Sequence, residues 1–560
     1  MKNRTININN SVIKKLISFL GTTLKTTYKT HMLNNYLKRH LNSKNKGMVL
    51  IWEMGGFPSI MSTNAIMSFA LNLRGYDTQF LLCDGISEAC VQREIDRDDN
   101  PTCWRQKCKK CFRLMKTVAR EYSLKVVAAS DYIDAQTKNN FRDISMRISL
   151  QDIVKHKYLG INVGEIAYGS FIRYGKGYPL RILNMHKTAE EVLRKYFFGG
   201  LVNTYVADQL ISKLKPVAIY SSHGVYIDYA PPMFLGHNKQ IPAVSWTSGF
   251  KEYNHYYSAM ISVDKFIPRQ LSNNEWETRK MLSLTDQQNI ILDDYMIKRY
   301  CNNQSMDISF ATKPENAKRA RKRLNINNNF LTVCLFTHLL WDALYESTSM
   351  IFDDADQWVI ESMYKMIEIK DVNWIIKIHP AEHIHKSAYS VADTIKKEFP
   401  VLPGHIKVVW SDSETNTMSI LNMIDVGITI MGTVGLELPL LGKPIIIAGK
   451  SHLSNKGFTI DSSTKEEYFN NLSKAKNLKR LTADQINLAR LYAYSYFIQQ
   501  QVPLNVIDKK KGHWGGMDMN KYEELLPGIN LIMDEICHSI INGKNVILTE
   551  ETLRSINYGR

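Results

Sequence analysis

The sequence predicts an α/β protein of two doubly wound, Rossmann-like units facing each other across a central cleft. Three observations predict it. Short apolar runs alternate with helix-length segments along the chain, the pattern of parallel sheet wrapped by helices. At 560 residues the chain exceeds one ordinary core, so two large domains are expected. Hydrophobic residues at 44% and charged residues at 22% describe a globular chain rather than a disordered one.

The elements follow in order. Residues 1–46 form a basic arm, expected to be helical and amphipathic. It holds ten Lys or Arg and no acid, the first carboxylate being Glu53. Of the net charge of +17, the arm supplies +10 and all the rest of the chain +7. Its short apolar stretch Leu16–Leu20 lies among Lys14, Lys15 and Lys25 and lacks a well-placed cleavage site, so it reads poorly as a secretory signal. Three readings stay open for the arm: a solvated tail, docking on anionic lipid, or nucleic-acid binding. Without a nucleic-acid motif, no nucleic-acid partner is expected. No apolar run approaches the roughly 18–20 residues of a membrane span. The expected location is cytoplasmic, peripheral at the inner face of the membrane.

Residues 47–290 read as the first unit. Met48–Trp52 is a buried strand, Gly55-Gly56-Phe57-Pro58 a turn, and Ser59–Leu73 a helix closed by Gly75. Thr78–Cys83, Val126–Ala128, Val217–Tyr220 and Ile241–Trp246 are further strands, the last following a turn at Pro231-Pro232. A polar, mixed helical stretch near Asn273–Arg323 connects the halves. Residues 291–545 read as the second unit, with strands at Phe330–Phe336, Trp374–Ile378, Ile406–Val409, Val426–Ile430 and Ile445–Ala448; residues 546–560 are a tail.

The chemistry concentrates in the second unit. Strand Val426–Ile430 ends in Gly432-Thr433-Val434-Gly435, and Leu436-Glu437-Leu438 begins a helix. Glycines Gly432 and Gly435 let backbone N–H groups approach a ligand, and the helix start offers about half a positive charge to an anion. Thr433 adds a hydroxyl, so a phosphate is the expected occupant, with Glu437 placed to accept from sugar or ribose hydroxyls. The turn is neither GxGxxG nor a P-loop, which argues against NAD and ATP enzymes. Upstream, Lys377-Ile378-His379-Pro380-Ala381-Glu382 sits at the end of a strand, where open α/β sheets bind ligands. Lys377 and His379 can donate to a phosphate there.

These segments, with Gly442-Lys443-Pro444 and Lys456-Gly457-Phe458-Thr459, resemble bacterial capsule and surface-polysaccharide glycosyltransferases of the GT-B fold, which include the Kdo transferases of capsule export. The His-Pro element also resembles that of bacterial sialyltransferases and CDP-glycerol polymerases, where it lies beside a cytidine nucleotide. The likeness is good over roughly 330–470 and thinner before. It implies a GT-B-like fold and a donor site built from His379, Glu382, Thr433 and Glu437 for a nucleotide sugar, possibly CMP-linked. Asp342, in the loop after the unit's first strand, and Asn416, after strand Ile406–Val409, are further donor-side candidates.

In the first unit, Ser221-Ser222-His223-Gly224 follows a strand and precedes Asp228. His223, Asp228, Glu165 and Glu53 are the candidate bases for activating a glycan or lipid-linked acceptor hydroxyl. Arg173 could steady an anionic acceptor or form a surface ion pair. Two Asp-x-Asp sequences, Asp96-Arg97-Asp98 and Asp354-Ala355-Asp356, do not directly follow a strand, which favours a metal-independent departure with no cofactor required. Five of the eight cysteines fall between Cys83 and Cys111. Cys108-x2-Cys111 with Cys83 and Cys90 suits structural zinc, and the Cys103-x4-Cys108-x2-Cys111 spacing matches part of an iron–sulfur pattern; free thiols are the alternative. Glycosyl transfer to a surface polysaccharide or lipid-linked glycan is the leading expectation. Transfer of a polyol phosphate from a CDP-linked donor, and a non-catalytic assembly scaffold, are the alternatives.

Overall fold

A computed structural model describes residues 31–32, 35–36, 39–40, 45–92, 104–175, 187–260, 269–301, 314–342, 349–384, 389–509, 516–518 and 520–556. Most of the basic arm, Asp96-Arg97-Asp98 and Cys103 lie outside them. The pairs at 31–32, 35–36 and 39–40 are helical.

The first half contains β1 (Met48–Glu53), β2 (Asp77–Leu82), β3 (Val126–Ala128), β4 (Ala218–Ser222), β5 (Ala243–Ser248) and β6 (Asn254–Ala259). The second contains β7 (Thr332–Phe336), β8 (Ser349–Met350), β9 (Asn373–Lys377), β10 (Ile406–Val409), β11 (Val426–Thr429), β12 (Ile445–Lys450) and β13 (Ile460–Ser462). A last strand, β14 (Val502–Pro503), returns to the first half. The first sheet runs β14-β6-β5-β4-β1-β2-β3, parallel from β5 to β3 and antiparallel at β6 and β14. The second runs β10-β9-β7-β11-β12-β13, all parallel, with β8 antiparallel on β12.

Both orders are doubly wound, and each reverses direction once: between β1 and β4, and between β7 and β11. Crossovers leave a crevice at such a reversal, outside the carboxyl ends of the strands, and ligands bind there. The two-unit α/β architecture expected from the sequence is therefore present, with a defined binding edge in each unit.

Alternation along the strands builds the layers. Val49 and Ile51 face the helix Pro58–Leu73, while Leu50 and Trp52 face the helices Val163–Tyr174 and Lys187–Leu214. In the second sheet Val333, Leu335, Trp374 and Ile376 pack toward the helix Ala355–Glu368. Each such fully buried side chain contributes about 1.5–3 kcal/mol. The chain end also belongs to the first sheet: the helix Leu531–Asn542 buries Ile532, Met533, Ile536 and Ile540 in the cluster shared with Val244 and Trp246. These residues fall within the 291–545 range assigned to the second unit by the sequence reading.

One local expectation is corrected. Pro231-Pro232 is no turn; both prolines lie inside the helix Tyr226–Asn238. Proline lacks the N–H that would bond the carbonyl four residues back, leaving those of Ile227 and Asp228 open. Asn203 Nδ2 donates to Ile227 O at 2.8 Å and Trp52 Nε1 to Asp228 O at 2.7 Å. Side chains satisfy both orphans, so the helix continues.

Candidate functional site

At the β1/β4 reversal, Glu53 ends β1 fully buried. Gly55 and Gly56 follow at φ +92° and +94°, a backbone that turns the chain back and points the Gly55 N–H at Glu53 Oε1, 3.0 Å away. Asn64 Nδ2 donates to Oε2 at 2.8 Å, the Ser222 hydroxyl lies 3.4 Å from the same oxygen, and Trp246 Nε1 holds Asn64 Oδ1 at 2.7 Å. Burial nevertheless outweighs these donors and pushes the Glu53 carboxyl up to about 7.

Asp228, in the first turn of its helix, is 2% exposed. Its Oδ2 accepts from Val91 N at 2.8 Å, and its Oδ1 has no partner among the described residues. Burial pushes this carboxyl up to about 7 as well. His223 lies in a turn where His223, Gly224 and Tyr226 have φ of +57°, +72° and +64°. Such non-glycine strain costs on the order of 1–3 kcal/mol per residue and concentrates at functional turns. The His223 ring stacks on Tyr229 with centroids 5.3 Å apart, and its Nδ1 has no partner among the described residues. Burial, then the Arg173 charge, lower its pKa to about 4, so the imidazole is neutral at physiological pH. Unlike Glu53 and Asp228, it is only half-buried. Glu165 opens the helix Val163–Tyr174 that Arg173 closes, roughly 12 Å away at 1.5 Å per residue.

On the second edge, Thr337 Oγ1 accepts from His379 N at 3.0 Å, which pins the segment after β9 to the loop after β7. Ala381 N donates to His379 Nδ1 at 3.2 Å, so the ring carries its proton on Nε2 and that atom is the donor. Lys377 is 4% exposed, its Nζ 3.4 Å from Ile378 O, and burial pushes the ammonium down to about 8. Glu382 caps a helix: its oxygens accept from Val391 N at 3.0 Å and Ala392 N at 3.4 Å. Asn416 likewise caps the helix Thr417–Met423 through Met418 N at 2.7 Å.

At the β7/β11 reversal, Thr433 precedes the helix Val434–Leu440. Gly432 N donates to Thr429 Oγ1 at 3.3 Å. Packing requires glycine at 435, since a Cβ there would lie 2.2 Å from Leu453 Cδ1. Glu437 is engaged by Arg299, Nε to Oε1 at 3.3 Å, with both side chains 1% exposed. Arg299 also reaches Thr433 Oγ1 at 3.4 Å and packs its guanidinium 5.0 Å from the Phe250 ring and 5.4 Å from that of Phe497. Phe250 follows β5 in the first half, and Gln501 Oε1 receives its N–H at 2.8 Å. A cation from the connecting helix Asp286–Cys301 thus stands where the two halves and the helix start converge.

The two edges meet through Arg173. Its Nη1 donates to Tyr226 OH at 2.9 Å on the first-half turn and to Asp342 Oδ1 at 3.2 Å on the second-half loop. Its guanidinium lies 5.0 Å from the Tyr226 ring and 5.9 Å from that of Trp341. Leu339, Trp341 and Ala381 join the apolar cluster of the first half, so the loop after β7 and the His379 segment lie against that half. His223, Glu53 and Asp228 thereby come together on one side and His379, Lys377 and Asp342 on the other.

The metal expectation gains no support from the described residues, and Cys103 of the iron–sulfur spacing lies outside them. Among the described residues no group of three or more His, Cys, Asp or Glu could hold an ion. Cys83, Cys90, Cys108 and Cys111 form no disulfide among the described residues, and burial pushes the Cys83 thiol up to about 12. Cys111 packs against the first-half core, and Cys108, one turn before it, lies against Gly85. Of the Asp-x-Asp at 354–356, Asp354 Oδ1 lies 3.4 Å from Tyr168 OH and Asp356 Oδ2 accepts from Tyr389 OH at 3.1 Å. Arg299, Tyr226 and Tyr229 were not singled out in the sequence. Arg299 stands 138 residues from Glu437 in a polar stretch with no local signal.

Residues 352–496 match the family described as capsule polysaccharide biosynthesis protein, a span that includes His379, Glu382, Asn416, Gly432, Thr433, Gly435 and Glu437. No curated protein matches the chain. Among solved structures, the beta Kdo 2,4 transferase KpsC of Thermosulfurimonas dismutans is similar at 16% identity and a TM-score of 0.30, covering 50% of this chain and 79% of that one. A UDP-GlcNAc 2-epimerase from Neisseria meningitidis bound to UDP-GlcNAc is similar at 9% identity and a TM-score of 0.25, covering 80% and 96%. A glycosyltransferase from Rickettsia africae is similar at 10% identity and a TM-score of 0.26, covering 86% and 100%.

Proposed function

We propose that this chain is a glycosyltransferase of capsule or surface-polysaccharide synthesis, moving a sugar from a nucleotide donor to a glycan or lipid-linked acceptor. One observation carries the reading: two sheet reversals face each other, one offering an imidazole donor and a helix start, the other a cluster of proton-accepting side chains. The match to the capsule polysaccharide family over 352–496 supports it, because His379 and Thr433 fall within that span.

In this reading the donor phosphate rests by Thr433, with His379 Nε2 donating to it as negative charge develops. The acceptor enters beside the His223 turn. Its oxygen forms the new bond to the anomeric carbon as the bond from that carbon to the phosphate oxygen breaks. The departing phosphate keeps the electron pair, and His223, neutral and the most exposed of the buried trio, takes the hydroxyl proton. Glu53, held by donors on both oxygens, positions the β1 turn. An anionic donor would offset the Arg173 charge and raise the basicity of His223 as the complex forms.

The test is nucleotide binding by the full chain, measured calorimetrically with CMP, CDP, UDP and GDP. A charge-assisted bond of about 1.5–3 kcal/mol predicts that His379→Ala weakens the preferred nucleotide about tenfold or more. Equal affinity for wild type and variant removes His379 from the donor site, and no binding of any nucleotide sinks the reading.

A further inference from the structure

The helix Trp104–Glu121 carries a single-sign surface that the transfer reaction does not use. Its buried face is set by Met115, Val118 and Ala119, which pack toward the helix Pro58–Leu73. Away from that face, Lys107, Lys109, Lys110, Arg113, Lys116 and Arg120 are exposed, and the helix has no acid before Glu121. Lys109, Arg113, Lys116 and Arg120 recur at the four- and three-residue spacing that aligns side chains into one stripe, about 16 Å long. A solvated helix face ordinarily gains from opposite charges a turn apart, and like charges there cost a few tenths of a kcal/mol per pair. No ion pair holds Lys109, Lys110, Arg113 or Lys116 among the described residues. Leu114 is 46% exposed beside the cations and Phe112 is half-buried, the Lys116 ammonium lying 5.3 Å from its ring.

We infer that this stripe is a docking surface for an anionic lipid bilayer. Two placements favour lipid as the occupant. The helix start adjoins the acceptor edge: Cys108 lies against Gly85, in the loop after β2 that leads to Val91 and its bond to Asp228. Tyr36 packs on Tyr522 at 4.6 Å, and the 3-10 turn Tyr522–Leu525 touches the helix Pro58–Leu73, on which the cationic helix also packs. A flat anionic sheet can meet a straight stripe of cations and an exposed leucine together. It would hold the acceptor edge beside a lipid-linked acceptor. The inference stands on the charge and exposure of this helix and does not depend on the donor.

Sedimentation with vesicles tests it, using the full chain, with phosphatidylcholine alone against phosphatidylcholine containing phosphatidylglycerol. Wild type should bind only the anionic vesicles. Each cation near such a surface strengthens adsorption about fivefold, so Lys109→Glu/Arg113→Glu/Lys116→Glu should lose about a hundredfold or more. That variant should keep the wild-type melting temperature and nucleotide affinity. Lys318→Glu/Lys322→Glu, reversing two exposed cations of the second half, should bind vesicles like wild type. The inference is overturned if the triple variant still binds, if the control pair loses binding equally, or if wild type ignores anionic vesicles, whether or not it binds RNA or duplex DNA.

Discussion

Burial assigns different protonation states to side chains that share the β1/β4 edge. His223 is held down to about 4 and is neutral, whereas Glu53 and Asp228 are held up to about 7. The assignment of the base follows from this split and can be read in the pH dependence of kcat/KM. With His223 as base, the rate should be flat from neutrality down to the acid limb set by the imidazole, well below 7. His223→Ala should cost about 10²–10⁴-fold. Asp228→Asn should keep the profile with a smaller loss. An acid limb near 7 that vanishes in Asp228→Asn would move the role to Asp228, whose open Oδ1 makes it the alternative. The sign for stability is opposite to that of a salt-bridged carboxylate. A folded-state pKa raised above the unfolded value means the folded chain binds the proton more tightly. Stability therefore falls as pH climbs from the ordinary carboxylate range to about 7, and Glu53 and Asp228 both contribute to that fall.

At the scale of elements, packing constrains the turn between β11 and its helix. A Cβ on Gly435 would press Leu453 Cδ1 at 2.2 Å, and Leu453 is fully buried, so the clash cannot be relieved into solvent. Gly435→Ala should destabilise by about 1–3 kcal/mol, as overpacking does. Pairing it with Leu453→Ala should recover part of that loss, a coupling visible in chemical denaturation. Strict additivity of the two would show that the glycine answers to something other than Leu453. The strands were legible because β1, β7, β9, β11 and β12 are continuous apolar runs, the mark of strands buried on both faces. β6 was missed because Asn254–Ala259 is polar and aromatic, and β8, β13 and β14 are too short to show a period. The site divides the same way. His379 could be placed because it follows a readable strand and precedes proline. Glu382 and Asn416 have ligand-like chemistry in sequence but spend it on helix starts. The prolines of Tyr226–Asn238 misled because their compensation comes from Asn203 and Trp52, remote in the chain.

Across the whole molecule, one apolar cluster crosses from sheet to sheet. It joins Val49, Tyr220 and Trp246 of the first half to Phe336, Ile375 and Ile445 of the second, by way of Leu292, Tyr492, Tyr496 and Phe497. The buried Arg299–Glu437 pair lies in the same join, and the chain end returns across it to bury Ile536 under the first sheet. Units linked only by a small polar interface unfold independently, whereas a large apolar interface couples them. Calorimetry of the full chain should therefore give one cooperative transition. Ile536→Ala, which removes a fully buried side chain worth about 2–5 kcal/mol, should lower that entire transition rather than detach a first-half component. Two resolved transitions, or an early shoulder in Ile536→Ala with the remainder unmoved, would mean the halves hold together only through contacts such as Arg173–Asp342. That pair is half-exposed at Asp342 and worth under about 1 kcal/mol, too little to couple two sheets. A single transition would instead make the separation of the two binding edges a property of one continuous core.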